Sequence, residues 1–399
     1  MRSKLTVLMV TAFVDMLGLI IVYPLLPFYA TRLGANAAMV GALVAAFSVA
    51  QLISAPAWGK MSDHYGRRPA ILVGLLISAA AYVIFAFAGS IWLLFLSRII
   101  QGLGGGTIGV VQAYVADISE GKDRAKALGW LSAVTSLGAV VGPAIGSLLV
   151  RFGGHAAPGI GSAVLCVLVS VFAWRFLRES RTDTQQFEAI HAKGPGGAQT
   201  IRAVIAHPNL PASRLIWIYA IAIGAFYGTT PLLPLVLADR LGATVENVGY
   251  FIMYLGGMGV IVRLGILSRM IEWMGEARLA RLGLILLAAG LAMVSMITSY
   301  PTMLVALTLM PMGTAFIFPC VTAMLSRVVP AKQRGLYMGV QHTFGGVSRV
   351  AFPLIAGYGM DLLGQGIPFV FAGSMVAVTL LLTMSMESYV AAPVTDLNR

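Results

Sequence analysis

Charged residues and cysteines are both scarce in this 399-residue sequence. Asp, Glu, Lys and Arg make up 11% of it, against roughly 25% in soluble domains, which is too few to cover the surface of a water-soluble globule. The mean hydropathy is +0.87. The two cysteines, Cys166 and Cys320, lie in apolar runs without a nearby His or Asp, so neither a disulfide framework nor a metal site is expected. The composition predicts an integral membrane protein and excludes disordered, collagen-like and disulfide-scaffold classes.

Long apolar runs are what the sequence has instead. A membrane-spanning helix needs about 20 apolar residues, and continuous runs such as 70–89 lack the period of two that membrane β-strands show. The first run is too long for the apolar part of a cleavable signal. We predict twelve spanning helices, called spans 1 to 12 below: 5–29, 38–57, 70–89, 91–114, 127–150, 159–177, 213–237, 246–266, 280–299, 301–325, 335–358 and 367–387.

The positive charge of the chain is unevenly distributed. The net charge is +12, and with the N-terminus inside, 22 of the 27 Lys and Arg residues fall in inner loops and termini. Arg32, Arg151 and Arg240 fall outside, and Arg98 and Arg349 lie within spans. Loops rich in Lys and Arg stay on the cytoplasmic side of a membrane. The bias predicts that both termini are inside, and it accounts for the net charge without a nucleic-acid partner.

A polar interval after span 6 divides the chain in two. We predict an N-terminal six-helix bundle at 1–178, a cytoplasmic linker at 179–212, and a C-terminal six-helix bundle with a short cytoplasmic tail at 213–399. The sequence Pro-Leu-Leu-Pro at 24–27 recurs at 231–234. Three further residues recur 210 positions later: Arg124, Gly129 and Pro143, as Arg334, Gly339 and Pro353. Because chance recurrence would not keep one offset, the repeat predicts two pseudo-symmetric bundles around a site near the membrane midplane.

The inner loop between spans 2 and 3 carries a compact charged motif. It reads Gly59-Lys-Met-Ser-Asp63-His-Tyr-Gly66-Arg67-Arg68-Pro69, in which glycines permit a tight turn and charges lie at a helix end. The motif resembles the most general motif of the major facilitator superfamily, GxLaDrxGrR. The resemblance implies that this motif locks the inner side of the transporter in the outward-open state. The lock would be formed by Asp63, Arg67 and Arg68, with Asp117 at the end of span 4 as their partner.

Three further motifs extend the resemblance along the N-terminal half. Span 4 has Leu94-xxx-Arg98-xx-Gln101-Gly102-x-Gly104, which is similar to a second motif of the family. Span 5 has Gly138-xxx-Gly142-Pro143-xx-Gly146, which resembles the antiporter motif except that Ser147 stands at its last expected glycine. Span 1 has Leu17-Gly18-x₅-Pro24-xx-Pro27, a pattern typical of twelve-helix drug–proton antiporters. Together the motifs look most similar to tetracycline exporters and their multidrug relatives.

The resemblance implies an all-α membrane protein with the major facilitator fold, twelve transmembrane helices in two pseudo-symmetric six-helix bundles. It implies protons and a small molecule as partners, no cofactor, no metal and no nucleic acid. We expect a monomer in the lipid bilayer, and a bacterial cytoplasmic membrane as its location. Tetracycline exporters also carry an Asp in span 9, a His in span 8 and an Asp in span 3, none of which occurs in this sequence. The resemblance therefore covers the antiporter class and not tetracycline itself.

The run Gly104-Gly-Gly106-Thr-Ile-Gly109 satisfies the dinucleotide-binding pattern GxGxxG. That pattern requires a preceding strand, whereas this run lies inside the apolar helix of span 4. We interpret its small residues as a surface on which helices approach closely.

Only one of the 15 acidic residues, Asp15, is embedded within a span rather than placed at a span end or in a loop. It lies roughly 15 Å from the inner face at about 1.5 Å per residue, and Arg98 lies about 5 Å from it in depth within a core about 30 Å thick. Ionisable groups embedded in a membrane are costly and by default functional. We interpret Asp15 as the proton carrier and Arg98 as its partner, directly or through Gln101 or water. The alternative is a structural ion pair or a packing hydrogen bond.

A second embedded cation, Arg349, lies near the middle of span 11. Pro353 follows one turn later and cannot donate to the carbonyl of Arg349, so a kink is expected. No embedded acid in the second half can neutralise Arg349. It either faces water, pairs with Asp15 across the halves, or binds an anionic group of a substrate. His342 lies on about the same helix face and is of a type that titrates near neutrality.

Aromatic and methionine side chains suit varied amphipathic ligands because they form soft apolar walls. Each is alternatively a core or lipid-facing residue. The candidate lining of a substrate cavity is Tyr23, Gln101, Phe226, Tyr227, Tyr254, Met258, His342 and Arg349.

These observations predict a proton-coupled exporter of small amphipathic compounds that works by alternating access, with spans 5 and 11 as hinges. One alternative keeps the fold and makes Arg98 and Arg349 an anion clamp in a transporter of a metabolite anion. A more remote alternative is a non-transporting membrane receptor. An enzyme is not predicted, because no nucleophile–base pair, metal ligand set or phosphate loop has a suitable context.

Overall fold

The computed structural model describes residues 2–119, 121–180, 197–384 and 386, which form helices and turns and no strand. The α-helices of these residues are α1 Arg2–Val22, α2 Leu26–Arg32, α3 Ala37–Tyr65, α4 Arg67–Ala86, α5 Ile91–Gly104, α6 Thr107–Ile118, α7 Gly121–Gly153, α8 Ala157–Phe176, α9 Gly197–Ala206, α10 Pro211–Thr229, α11 Leu233–Leu241, α12 Val248–Gly265, α13 Leu267–Val294, α14 Tyr300–Val328, α15 Arg334–Leu363 and α16 Ile367–Val378. Short 3₁₀ turns are Thr230–Leu232, Ala331–Gln333 and Thr379–Thr383.

Most of the predicted spans correspond to helices long enough to cross a membrane. In the described residues, ten helical segments have the length and apolar composition for this, including the composite segments Leu5–Arg32, Ile91–Ile118 and Pro211–Leu241. Predicted span 11 is covered by α15, which has 30 residues. Predicted span 12 corresponds to the shorter apolar stretch Ile367–Thr383. The predicted all-α membrane fold is confirmed, with ten of its twelve spans meeting the criteria of length and composition.

The chain forms two compact units. The first comprises Met1–Lys193 and Ala243–Met253, and the second Gly194–Gly242 and Tyr254–Arg399. Residues 181–196 of the predicted linker, 385 and 387 at the end of predicted span 12, and 388–399 of the predicted tail lie outside the described residues. The predicted division at 179–212 stays a prediction.

In the first unit, α1 packs between α7 and α8. The glycines of the antiporter-like motif allow this contact. A Cβ at Gly138 would lie 2.9 Å from the carbonyl oxygen of Phe13, and Gly142 and Gly146 face α1 at comparably short range. Small residues let helix backbones approach closely in a membrane. The motif therefore fixes the part of α1 that carries Asp15.

Span 4 is not one continuous helix. It stops at Gly104 and restarts at Thr107, so the expectation that the GxGxxG run lies inside a helix is wrong. A break of this kind leaves backbone carbonyls without their helical partners, and side chains of α3 occupy several of them. Trp58 Nε1 donates to the carbonyl of Leu103 at 2.5 Å, and Gln51 Nε2 donates to that of Gly105 at 3.3 Å. The side chains that α3 inserts are the physical reason for the break, and the sequence pattern of span 4 alone does not reveal them.

In the second unit, α10 packs against α15 and α13 against α14. At the first contact, Cβ atoms added at Gly224 or Gly228 would overlap the side chain of Phe352. The close approach brings Tyr227 of α10 to the face of α15 that carries Arg349. Pro353 lies inside α15, which continues through it.

Candidate functional site

Asp15 lies half-buried on α1, facing polar groups of three other helices. Thr107, the first residue of α6, lies near the Asp15 carboxyl group, and the hydroxyl of Thr107 donates to the carbonyl of Gly104. Tyr82 of α4 and Cys166 of α8 are close enough to interact with Asp15 electrostatically. Among the described residues, no cation forms a salt bridge with this carboxyl group. It can therefore hold a proton, or remain ionised while a cation is near.

Arg98 lies beside this group without pairing with it. Its side chain is 2% exposed, and its guanidinium lies 5.3 Å from the ring centre of Phe85. Within the described residues, no salt bridge joins Asp15 to Arg98, and Nε and Nη2 of Arg98 have no hydrogen-bond partner. The direct pair considered from the sequence is thus not formed.

Tyr82 mediates between the two charges instead. Its hydroxyl accepts a hydrogen bond from Gln101 Nε2 at 2.8 Å, and its phenol interacts electrostatically with both Asp15 and Arg98. Gln101, predicted to line the cavity, is 2% exposed and belongs to this buried polar cluster.

A cavity of about 580 Å³ lies between α6 and α7 in the first unit. Its first lining residue, Ile108, directly follows Thr107. The polar lining groups are uncharged, and the hydroxyl of Thr135 already donates to the carbonyl oxygens of Leu131 and Ser132. A ligand would thus meet an amide and hydroxyl oxygens within apolar walls. The lining consists of Ile108, Gly109, Gln112, Ala113, Ala116, Leu128, Leu131, Ser132 and Thr135.

The second unit holds a cationic cluster. The guanidinium of Arg349 lies 5.5 Å from the ring centre of Tyr227, a cation–π arrangement. Tyr219 interacts electrostatically with Arg349 and stacks edge-to-face on His342, with ring centres 6.1 Å apart. In the described chain, Nε of Arg349 is buried and has no hydrogen-bond partner. The structure therefore brings together Tyr227, His342 and Arg349 of the predicted cavity lining.

The remaining predicted lining residues lie elsewhere. Phe226 is 7% exposed and packs edge-to-face against Tyr227. The hydroxyl of Tyr254 hydrogen-bonds Thr308 Oγ1 at 2.7 Å, and Met258 lies half-buried one turn further along α12. Tyr23 lies half-buried in the turn between α1 and α2. Their role as a substrate lining stays a prediction.

The inner-loop motif forms the predicted ion cluster. Arg67 Nη1 lies 2.8 Å from Asp63 Oδ1, and Arg67 Nε lies 3.1 Å from Asp117 Oδ2. The guanidinium of Arg68 donates a hydrogen bond to the carbonyl of Trp174. A Cβ at Gly59 would meet nothing within 4 Å, so close packing does not require glycine there.

A residue not singled out from the sequence, Glu179, completes the motif. Its carboxylate accepts hydrogen bonds from the backbone amides of Arg67 and Arg68, both at 2.9 Å. These are the first amides of α4, which would otherwise lack partners, and a negative charge is favourable at a helix N-terminus. Gly66 precedes them with φ of 99° and ψ of 161°, a conformation essentially restricted to glycine.

The second unit contains an unpredicted counterpart of this loop. Gly275 has φ of 75° and ψ of 163°, and the next residue, Glu276, forms an ion pair of 2.6 Å with Arg327. The sequence signal that could have found it is the offset. Arg327 lies 210 residues after Asp117, the same displacement that relates the other repeated residues.

Towards the other end of α7, Ser147 stands where the antiporter motif has a glycine, and its hydroxyl forms two hydrogen bonds. Ser147 Oγ donates to the carbonyl of Val245 at 2.9 Å and accepts from the amide of Gly249 at 3.0 Å. Both partners belong to the stretch Ala243–Met253, which is part of the first unit. Pro143 contacts the same glycine. A glycine at position 147 would lack the hydroxyl that joins these backbone groups.

Comparison with known proteins identifies the family. The sequence model of the Major Facilitator Superfamily matches residues 8–297 and 266–394. The chain belongs to this superfamily. It is 28% identical to Multidrug resistance protein 1 of Bacillus subtilis (strain 168), with 96% of each chain covered. It is 27% identical to the class B Tetracycline resistance protein of Escherichia coli, with 89% and 88% covered.

A solved structure agrees on the fold. The nucleoside transporter NupG superimposes with a TM-score of 0.78 at 12% identity, with 95% of this chain and 99% of that chain covered. At this identity the likeness concerns the fold alone. The predicted family and the predicted multi-pass location in a cell membrane are confirmed.

Proposed function

We propose that this chain is a proton-coupled exporter of small amphipathic compounds, a transporter rather than an enzyme. The observation that carries the proposal is the position of Asp15. It is the one acid embedded in a span away from its ends, and Thr107 of α6, which lies near it, directly precedes a lining residue of the cavity between α6 and α7. The curated relatives are named for multidrug and tetracycline resistance, which supports drug efflux as the class of transport.

The mechanism follows from competition for one carboxyl group. A proton arriving from outside neutralises Asp15, and a substrate arriving from inside favours its release. Alternating access of the two six-helix halves then exchanges one for the other, so that the proton gradient drives efflux. Tyr82, hydrogen-bonded to Gln101, interacts with both Asp15 and Arg98. Among the described residues no salt bridge joins the two charges, so the carboxyl can exchange its proton. We expect the protein to work as a monomer and without nucleic acid.

The cavity favours substrates that are neutral or carry positive charge. Its lining contains no charged side chain. Burying a charge against apolar walls is costly unless a partner compensates it. A cation would have Asp15 as the nearest embedded acid of this unit, whereas an anion would have no cation in the lining.

One observation favours a second function, transport of an organic anion. Nε of Arg349 is buried without a hydrogen-bond partner in the described residues, on the face of α15 that meets Tyr227. A carboxylate or sulfonate group bound there would gain charge-assisted hydrogen bonds. In that case Arg349 would hold the substrate.

The test is proton movement in liposomes that contain the purified protein and an internal pH dye. Three probes differ mainly in charge: tetraphenylphosphonium, neutral N-phenyl-1-naphthylamine and the permanent anion 1-naphthalenesulfonate. We expect the first or second probe to release protons from an acidified lumen. Protons moved only by the sulfonate would replace the proposal by the second function. Movement by none of a wider set of such probes would favour a receptor.

Asp361→Asn is the matched control for this assay. Asp361 is an exposed acid in the last turn of α15, beyond predicted span 11, so its loss changes the net charge as Asp15→Asn does without removing an embedded carboxyl. Empty liposomes measure the passive entry of each probe.

A further inference from the structure

A cavity of about 190 Å³ lies within the second unit, between α10, α15 and α16. At its rim the side chains of Ile355, Leu363 and Phe371 are exposed. Another lining residue, Thr229 of α10, is 0% exposed. The cavity is therefore a groove that opens on the surface of this unit and reaches into its packing.

The groove reflects uneven packing of α16. Towards α13 the helices are in close contact, since a Cβ at Gly373 would lie 2.9 Å from the carbonyl oxygen of Ala288. Towards α15, a Cβ at Gly359 would meet one atom of another helix within 4 Å in the described structure, Cγ of Pro368 at 3.6 Å. Small residues normally let membrane helices approach closely. Here the small residue of α15 leaves a space between the helices instead.

The walls of the groove are apolar. Thr229 supplies the one polar side chain of the lining, and its hydroxyl already donates to the carbonyl of Ala225 at 2.6 Å. Burying a polar group without a hydrogen-bond partner is costly, and apolar cavities of this kind do not hold ordered water. The chemistry of the lining therefore selects an occupant that is apolar along the length of the groove.

The groove lies at the depth of the outer leaflet. With the N-terminus inside, α15 runs from the inner to the outer side of the membrane, and its second half, from Phe352 to Leu363, lines the groove. The first residues of α16, from Ile367 to Ala372, line it on the return. The exposed apolar rim is thus continuous with the surface that these two helices turn towards lipid.

We propose that this groove binds an acyl chain of an outer-leaflet phospholipid. Helices associate in a membrane through van der Waals contacts, and apolar walls without a neighbour lose those contacts. An alkyl chain is thin enough to restore them between two adjacent helices. A helix of a second copy, about 10 Å across with its side chains, is too wide to enter. The inference is independent of proton coupling and of the exported compound.

The bound chain would also support a helix crossing inside the unit. Phe352 lines the groove, and Cβ atoms at Gly224 or Gly228 of α10 would overlap its side chain. The same side chain therefore forms a wall of the groove and the contact between α15 and α10. We expect the loss of the acyl chain to weaken this contact and to lower the stability of the protein.

Photochemical labelling tests the proposal. The purified protein is placed in vesicles of phosphatidylethanolamine and phosphatidylglycerol that contain a trace of phospholipid with a diazirine in one acyl chain. The reference for ordinary lipid contact is the exposed apolar stripe of α4, which contains Leu76, Ala80 and Val83. After illumination, mass spectrometry of peptides should find severalfold more label between Ile355 and Ala372 than on this stripe.

Variants at Gly359 fill the groove from within. Gly359→Leu should reduce the label there to the level of the α4 stripe. Gly359→Ala adds one methyl group at an ordinary contact distance from Pro368, so it should cause a partial loss and keeps the test available if the leucine variant does not fold. Ala80→Leu is the matched control, because it enlarges a small residue on the α4 stripe and should leave labelling of the groove unchanged.

Stability gives a second readout. In detergent, removal of lipid should lower the melting temperature of the wild type and of Ala80→Leu more than that of Gly359→Leu, whose own side chain occupies the groove. Adding phospholipid back should reverse the loss in the wild type.

Three results would each overturn the proposal. The first is wild-type labelling of the groove no stronger than that of the α4 stripe. The second is labelling that is unchanged in both Gly359→Leu and Gly359→Ala. The third is labelling that disappears on adding N-phenyl-1-naphthylamine, because this would assign the groove to a transported compound rather than to a phospholipid.

Discussion

The two inner loops of the molecule share a backbone and an ion pair but exchange the signs of the charges. Gly66, which precedes α4, and Gly275, at a kink inside α13, both adopt a conformation essentially restricted to glycine. The residue after the glycine is a cation in one loop and an acid in the other. Its partner carries the opposite charge in each case: Asp117 for Arg67, and Arg327 for Glu276. Each half therefore has an ion pair at this position, and the acid and the cation have exchanged places between the two halves.

At membrane depth the halves differ in a way that cannot be exchanged. The first half holds an acid and a cation, Asp15 and Arg98, both of which interact with Tyr82. Away from the ends of its predicted spans, the second half holds the cation Arg349 and no acid. A carboxyl group can store a proton in a low-dielectric environment, whereas a guanidinium does not give one up there. The first half is therefore suited to proton coupling, and the second to a fixed charge.

The largest expected effect comes from making the first half as free of acid as the second. Asp15→Asn preserves shape and hydrogen bonding but removes the titrating group. We expect proton movement driven by tetraphenylphosphonium or N-phenyl-1-naphthylamine to fall by about a hundredfold or more, which is the usual scale for losing a proton-transfer group. The liposome assay measures it, with Asp361→Asn expected to behave as the wild type. Normal coupling in Asp15→Asn would return this residue to a structural role.

The second prediction removes the central charge of each loop pair. Arg67 contacts two carboxylates and Ser62, and its side chain is 7% exposed, whereas Arg327 is 55% exposed and contacts Glu276. Hydrogen bonds to charged groups contribute about 1.5–3 kcal/mol each when buried, and exposed ion pairs about 0–1 kcal/mol. Arg67→Gln should therefore lower the melting temperature of the purified protein in detergent more than Arg327→Gln does.

Exchanging the charges within a pair sharpens the same comparison. Glu276→Arg combined with Arg327→Glu restores the pair in the second loop and should recover most of the stability lost by either change alone. The equivalent exchange of Arg67 and Asp117 should recover less, because Asp63 also contacts Arg67 and then faces an acid. Equal recovery in both loops would show that the third charge is irrelevant.

Sequence reasoning located the elements that depend on composition and local pattern. Apolar runs of about 20 residues identify spans because the bilayer permits few alternatives, and the acid of α1 was evident because embedded acids are so few. The partnership of Arg67 with Asp117 followed from the family motif. These features require only the residue type and its place along the chain.

The features that were not predicted depend on what a distant helix inserts. The break at Gly105–Gly106 is stabilised by Gln51 and Trp58 of α3, and glycines in a helix alone indicate close packing as readily as a break. The interaction of Tyr82 with both Asp15 and Arg98 is likewise not revealed by depth along a span. The motif does not predict the loop at Gly275, because the charges of that loop are reversed relative to those of the motif.

The third prediction compares the two glycines of these loops. Both occupy a conformation that costs other residues about 1–3 kcal/mol. A Cβ at Gly275 would meet nothing within 4 Å, but one at Gly66 would lie 2.5 Å from the carboxylate of Glu179. Gly66→Ala therefore adds to the backbone strain the displacement of the group that binds the first amides of α4. We expect the melting temperature of Gly66→Ala to fall further below that of the wild type than the melting temperature of Gly275→Ala does. Adding Glu179→Gln to both variants should reduce the difference between their melting temperatures.

The smallest expected effect is on substrate affinity when Arg349 loses its charge. If the substrate is neutral or cationic, as we propose, Arg349 is a fixed charge lying over Tyr227. Arg349→Gln should then leave the affinity for tetraphenylphosphonium within about twofold of the wild-type affinity, a smaller change than the loss of one hydrogen bond would cause. If an anion is the substrate, the same change removes a charge-assisted contact, and the affinity for 1-naphthalenesulfonate should fall about 10–100-fold. Arg349→Lys keeps the charge and loses the planar fork, so it separates a general field from a specific contact. Binding of both probes to the three forms of the protein decides whether the lone cation of the second half recognises a ligand. A tenfold loss for the cation as well would mean that Arg349 maintains the structure of α15, and that neither assignment describes it.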